Sequence, residues 1–256
     1  MNDRSALTIA ALTLAPALAL AEPAESVIAP DIEKGEREFE LAYGLSNDGG
    51  AHSSGLAFSF GAGVTDRWAT EVGIEFEGRS GEGLEVDGFE WENRLGLIVD
   101  EDEPVALALL VSFERPRERD EGWSATFGLL SETSIGRYLL NANLLVERFW
   151  GQDEGDEGEG EGDEEEAKRG TALAYQWQWM YRHSHRIYYG LHGMGELGQW
   201  DDWAKSEAQE HQAGPAIFGR VKLPDRRRLN YELGFLFGLT EATSDYTLHM
   251  KLEYEL

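Results

Sequence analysis

The sequence predicts an all-β fold, a closed antiparallel transmembrane β-barrel of about twelve strands, and three observations carry that expectation. From Glu38 to the carboxyl end, apolar residues recur at every second position in successive runs, and each run ends in a turn. The connections between runs are alternately short and long. The aromatic residues nearest the short connections share both the parity and the depth of one apolar face.

The first 21 residues stand outside this pattern. Arg4 precedes residues 7–21, which carry no charge and close on Ala19-Leu20-Ala21, small residues of the kind read by a signal peptidase. A secretory signal peptide cleaved near Ala21 is expected. Residues 22–36 then form a periplasmic N-terminal segment, and residues 37–256 form the barrel. No later stretch approaches the roughly twenty consecutive apolar residues of a membrane helix. Cysteine is absent, so an exported chain of this size is held without disulfides, as a closed sheet can be.

Taken in chain order, the apolar faces are Phe39, Leu41 and Tyr43, then Leu56, Phe58 and Phe60, then Val72, Ile74 and Phe76. Phe89, Trp91, Leu95 and Leu97 mark the fourth run, and Val105, Leu107, Leu109, Val111 and Phe113 the fifth. Ala125, Phe127 and Leu129 follow, then Leu140, Ala142, Leu144 and Val146. The eighth to tenth runs are Leu173, Tyr175, Trp177 and Trp179; Ile187, Tyr189 and Leu191; Ala213, Pro215 and Ile217. Leu233, Phe235, Phe237 and Leu239 form the eleventh, and Tyr246, Leu248, Met250, Leu252, Tyr254 and Leu256 the last. Pro215 lacks the donor that a central ladder needs, which makes the tenth run the least regular of the set.

Alternation alone leaves open which face is outside, because a soluble sandwich buries the face that a membrane barrel turns to lipid. The connections decide. Those after even-numbered runs are short: Thr65-Asp66-Arg67 and residues 100–103, 134–137, 183–186 and 222–228. Those after odd-numbered runs are mostly longer and more polar, at residues 78–87, 115–122, 151–170 and 198–210. Periplasmic turns and extracellular loops differ in this way in outer-membrane barrels. Near the short side, Trp68, Tyr138, Tyr181, Tyr189, Tyr231 and Tyr254 fall on the apolar parity and form an expected aromatic girdle, since an amphipathic ring suits the headgroup region. Hydrocarbon offers backbone groups no water, so a spanning sheet must close. An even strand number places both termini in the periplasm. Tyr254 and Leu256 on the lipid parity are similar to the carboxyl-terminal signal read by the barrel-assembly machinery, although the chain ends in Leu where that signal usually has Phe.

The stretch Gly63-Val64-Thr65-Asp66-Arg67-Trp68-Ala69-Thr70-Glu71, followed by Phe89-Glu90-Trp91-Glu92-Asn93-Arg94, resembles uncharacterised proteobacterial outer-membrane barrels of porin type, with a fainter echo at Gly214-Pro215. Some members of that group are linked with aromatic-compound degradation pathways. The resemblance implies a barrel in the outer membrane, in contact with its lipid, and brings no solute and no catalytic residue.

The opposite parity holds Glu38, Glu40, Glu71, Glu75, Glu77, Glu90, Glu92, Glu114 and Glu147, together with Arg94, Arg182, Arg220 and Lys251. These are the expected lining of a polar, acidic lumen. Twelve strands about 4.8 Å apart and tilted by roughly 40° give a backbone radius of about 12 Å, narrowed by side chains to about 6 Å if nothing plugs it. Carboxylates around a narrow passage concentrate cations and exclude anions, so passive diffusion of small solutes with cation preference is expected. The competing reading is a structural or surface-interaction barrel whose charges solvate the wall or pair across it, for example Lys251 with Glu40 at the seam.

The formal charge of −27 excludes nucleic acid as a partner, because the self-field repels polyanions. Residues 152–166 hold ten acidic residues among glycines without the spacing of a calcium loop. His52-x-Ser54 has the base and hydroxyl spacing of a lipid hydrolase, but no orienting acid or amide accompanies it in the sequence. His183, Ser184 and His185 are consecutive in a short turn and diverge. His192 and His249 read as wall residues on separate strands. No metal site, cofactor or catalytic residue is expected.

Overall fold

The computed structural model describes residues 23–81, 83–100, 103–118, 122–151 and 170–256. The expected signal peptide and the acidic stretch 152–166 lie outside the described residues. Twelve strands follow in order: β1 (Arg37–Asp48), β2 (Ala51–Thr65), β3 (Trp68–Arg79), β4 (Glu85–Ile98), β5 (Val105–Pro116), β6 (Trp123–Ile135), β7 (Tyr138–Trp150), β8 (Thr171–Arg182), β9 (Tyr188–Gln199), β10 (Glu210–Lys222), β11 (Arg228–Gly238) and β12 (Tyr246–Glu255). Each pairs antiparallel with its neighbours in sequence, and β12 pairs with β1 to close the barrel. The seam is continuous from Glu38 opposite Glu255 to Asn47 opposite Tyr246. Closure leaves no edge of unpaired N–H and C=O groups.

Alternation sets what each strand shows to either side. Val72 is 55% exposed, Phe89 53% and Phe127 53%, whereas Leu130 and Ala108, on the opposite parity, are 0% exposed. A belt of large apolar side chains therefore surrounds the outside of the barrel, far larger than the exposed patches a water-facing monomer carries. No helix among the described residues is long and apolar enough to cross a membrane.

Turn chemistry explains the two rims. Asp66-Arg67 and Gly136-Arg137 close β2 to β3 and β6 to β7 on one rim, and a short 3-10 turn at Pro224–Arg226 joins β10 to β11 there. The opposite rim carries the longest connections, at residues 151–170 and 200–209, while its other turns are comparable in length to those of the first rim. β1 and β2 are joined only by Gly49-Gly50, whose φ angles of 56° and 96° suit a tight hairpin turn that residues with a Cβ adopt with difficulty. Pro215 is accommodated by a gap in the ladder: Ala213 pairs with Phe237 and Ala216 with Gly234 on β11, and no pairing falls between them. The missing donor thus costs no bond on that side.

The segment before β1 departs from expectation. The sequence predicts a periplasmic segment here, whereas residues 23–34 run inside the barrel. Asn143 on β7 and Gln176 on β8 both hydrogen-bond to Ile28, Arg94 on β4 donates to the Ala29 carbonyl at 3.4 Å, and Lys251 on β12 reaches Ser26 at 3.5 Å. Near the short-turn rim the segment reverses through Gly35, whose N–H donates to the Gly63 carbonyl at 2.8 Å. It forms a plug continuous with the first strand.

Candidate functional site

The interior is one cavity of about 2460 Å³. All the side chains expected inside face it: Glu38, Glu40, Glu71, Glu75, Glu77, Glu90, Glu92, Arg94, Glu114, Glu147, Arg182, Arg220 and Lys251. Strand parity explains this orientation, because one residue in two points inward and these share one register across neighbouring strands.

Charge is unevenly distributed along the barrel axis. Toward the short-turn rim, cations from the wall satisfy the carboxylates. Arg94 lies 3.1 Å from Glu38, 3.4 Å from Glu71 and 3.2 Å from Glu92. Lys251 pairs with Glu40 across the seam at 2.5 Å, the contact that the wall-pairing reading anticipated. Arg228 binds Glu33 at 2.7 Å, Glu36 at 2.9 Å and also Glu255, which ties the base of the plug to β11 and β12. Burial, then the neighbouring Glu255 carboxylate, push the Glu36 carboxyl up to about 8.

Toward the long-loop rim the balance changes. Glu75, Glu90, Glu147 and Glu196 make no ion pair with Lys or Arg among the described residues. The plug adds Glu25 to this region, held by Gln176 Nε2 at 2.9 Å. The half of the lumen behind the long loops is thus an acidic vestibule, and the other half holds the ion pairs of Arg94, Lys251 and Arg228.

The wall is not polar throughout, as the sequence reading had it. Ala108, Leu110, Leu130 and Leu145 form a buried apolar cluster on the inner faces of β5 to β7, and Ile28 of the plug packs on it. A second cluster of Leu139, Met180, Ala216 and Phe218 lies on β7, β8 and β10, with Tyr188 against it. The plug is therefore held by apolar contact as well as by hydrogen bonds. Its chief polar fastening is Gln176, whose Oε1 accepts from the Ile28 N–H at 3.1 Å and from Asn143 Nδ2 at 3.1 Å. Sequence reasoning missed Asn143, Gln176 and Glu232. Their inward parity was legible, but their partners lie more than a hundred residues away for the two amides.

Outside, Tyr138, Tyr181 and Tyr189 follow one another across β7, β8 and β9 with ring centroids 5.3 and 5.4 Å apart. Trp68 donates from Nε1 to Asn93 at 3.2 Å, and the Tyr231 hydroxyl donates to the Arg186 carbonyl at 3.0 Å. Tyr254 borders a small outer groove with Phe39, Leu41 and Leu252.

For His52 and Ser54, the structure supplies an amide that the sequence did not reveal: Asn47, opposite His52 in the first hairpin, lies 2.9 Å from its Nδ1. Ser54 donates instead to the Gly78 carbonyl at 3.3 Å. The hydroxyl is engaged away from the imidazole, so the three residues do not make a nucleophile and base pair.

No family model and no curated protein matches the chain. Solved structures do. An outer membrane channel from Pseudomonas putida F1 superposes with a TM-score of 0.58 at 13% identity, covering 88% of this chain and 97% of that one. The NanC porin gives 0.55 at 9% identity, with 85% and 98% covered. The KdgM porin gives 0.53 at 8% identity, with 86% and 99% covered. The likeness spans nearly the whole of each neighbour and is a likeness of fold.

Proposed function

We propose that this chain is an outer-membrane channel through which small solutes diffuse passively, with preference for cations. The carrying observation is the acidic vestibule: Glu25, Glu75, Glu90, Glu147 and Glu196 share one half of a closed lumen in which, among the described residues, no Lys or Arg forms an ion pair with them. Low-dielectric walls focus such a field, raising the local cation concentration and excluding anions. The apolar outer belt with its Tyr and Trp rings is suited to hydrocarbon and headgroups, and solved barrels of this shape include porins. Location in the bacterial outer membrane, insertion by the barrel-assembly machinery after signal-peptide cleavage, and contact with outer-membrane lipid belong to this reading.

A second reading, a structural or surface-interaction barrel without an open pore, is favoured by one observation. The plug occupies the middle of the lumen and is fastened on β4, β7, β8 and β12. Planar-bilayer recording in a KCl gradient separates the two. A reversal potential of the sign given by K⁺ permeation supports the channel; anion selectivity removes the cation preference, and no conductance leaves the closed barrel.

A further inference from the structure

Two histidines on separate strands meet inside the wall, directly against the plug. His192 on β9 and His249 on β12 are each 0% exposed, and their ring centroids are 6.0 Å apart. Glu232 on β11 stands between them. Its Oε1 lies 2.8 Å from His192 Nδ1 and 4.0 Å from His249 Nε2, while its Oε2 accepts from Gln178 Nε2 at 3.3 Å. Both ring nitrogens of His192, both of His249, and Glu232 Oε1 lack a well-formed hydrogen bond.

Glycines make this meeting possible. His249 is flanked across the ladders by Gly44 on β1 and Gly234 on β11. A Cβ at Gly234 would strike the His192 ring, and a Cβ at Gly44 would strike the Pro23 carbonyl. The first residues of the plug thus lie where a side chain of β1 would otherwise stand, and the Pro23 backbone faces His249. Pro23 and Ala24 are themselves buried there.

We propose that His192, Glu232 and His249 form a proton-operated latch that seats the inner end of the plug at neutral pH and releases it on acidification. Imidazole is a side chain that gains a positive charge on acidification. With one ring charged, the cluster is balanced by the single Glu232 carboxylate. With both charged, it carries an excess positive charge that the surroundings do not answer. Lys251 lies on the same strand and already pairs with Glu40. Among the described residues, β8 contributes the Gln178 amide, β10 the edge of Phe218 at 6.2 Å, and the plug the Pro23 backbone. A buried unpaired charge is costly, and water reaches the imidazoles once Pro23 and Ala24 lift away. Glu25, Glu75, Glu147 and Glu196 act in the opposite sense, because protonating them relieves repulsion around the seated plug.

The latch rests on the channel reading only for its consequence, so the test measures the plug and the current separately. The chain contains no cysteine. A nitroxide at Ala29→Cys in the mature protein, folded in lipid vesicles, reports the plug by electron paramagnetic resonance. The expected spectrum is immobilised at pH 7.5 and gains a mobile component at pH 3.5, and in His192→Gln/His249→Gln that component shrinks several-fold. Should the double variant fail to fold, either single variant serves, since one remaining imidazole leaves the charge balanced. A spectrum unchanged at pH 3.5, or an equal mobile component in the variants, overturns the latch. Bilayer current on the same proteins tests the consequence: release of the label without a rise in current keeps the latch and removes the passage.

Discussion

Asn143 Nδ2 donates to the Ile28 carbonyl at 2.8 Å, joining the middle of β7 to the segment that precedes β1. The same amide nitrogen lies 3.1 Å from Gln176 Oε1, which also receives the Ile28 N–H. Both polar groups of one plug residue are thus answered by the wall.

Gln176→Ala removes the acceptor of the Ile28 N–H and the donor to Glu25. Losing a buried hydrogen-bond partner costs about 1–3 kcal/mol, and 1.4 kcal/mol is tenfold in an equilibrium. Hydrogen exchange at the Ile28 amide is expected to accelerate by about tenfold, with exchange in the β7 to β8 ladder little changed.

Arg94 is the hub of the balanced half, touching three carboxylates and the Ala29 carbonyl. Arg94→Ala leaves Glu38, Glu71 and Glu92 facing one another with their shared cation gone. Breaking a buried pair by deleting one partner typically costs about 3–5 kcal/mol. The expected result is a lower denaturant midpoint for the folded barrel in vesicles, with Arg94→Lys restoring only part of the loss because three carboxylates exceed what a point charge can bridge.

Selectivity is tested in the vestibule. Glu75→Gln/Glu90→Gln keeps side-chain shape and removes two carboxylates that have no Lys or Arg ion pair among the described residues. The reversal potential in a KCl gradient is expected to move toward zero, and the effect should weaken as salt is raised because screening shortens the reach of the field. Equal potentials in variant and parent would place the selecting field elsewhere.

The outer surface was legible in the sequence because lipid-facing residues obey period two. Phe39, Val72, Phe89 and Leu144 were each assigned to the face on which they stand. The plug was not legible, since residues 22–36 have no periodicity and contact amides far along the chain. His192 and His249 were read correctly as inward-facing. Their meeting depends on Gly234, which leaves room for the His192 side chain to lie across β11. Inward glycines beside inward histidines were the available signal. The two apolar clusters escaped for a simpler reason: Leu130 and Leu145 sit on the parity assigned to polar residues, within runs apolar on both faces.

The base of the plug should respond to pH through Glu36, whose carboxyl burial and Glu255 push up to about 8. A carboxyl raised in the folded state holds a proton that the unfolded chain gives up near its ordinary value of 4.5, so its contribution to stability is fully present below that value and is lost as pH rises through about 8. Unfolding midpoints measured from pH 5 to pH 9 (about the range between those limits) are expected to fall with rising pH, and Glu36→Gln should flatten the slope.

The direction of the apolar belt can be tested with one charge. Val72 is 55% exposed on the outer face of β3, pairing with Phe60 on one side and Trp91 on the other. If hydrocarbon covers that face, Val72→Arg costs about 2–4 kcal/mol when the residue lies near the bilayer midplane, because the guanidinium must reach past aromatic neighbours to water. A Cβ placed on its inward neighbour Gly73 would meet nothing closer than 3.7 Å, so Gly73→Ser, facing the wet interior, should leave stability within about 0.5 kcal/mol. Denaturant titration of both variants in vesicles gives the comparison. A harmless Val72→Arg would mean that water, not lipid, bathes the belt.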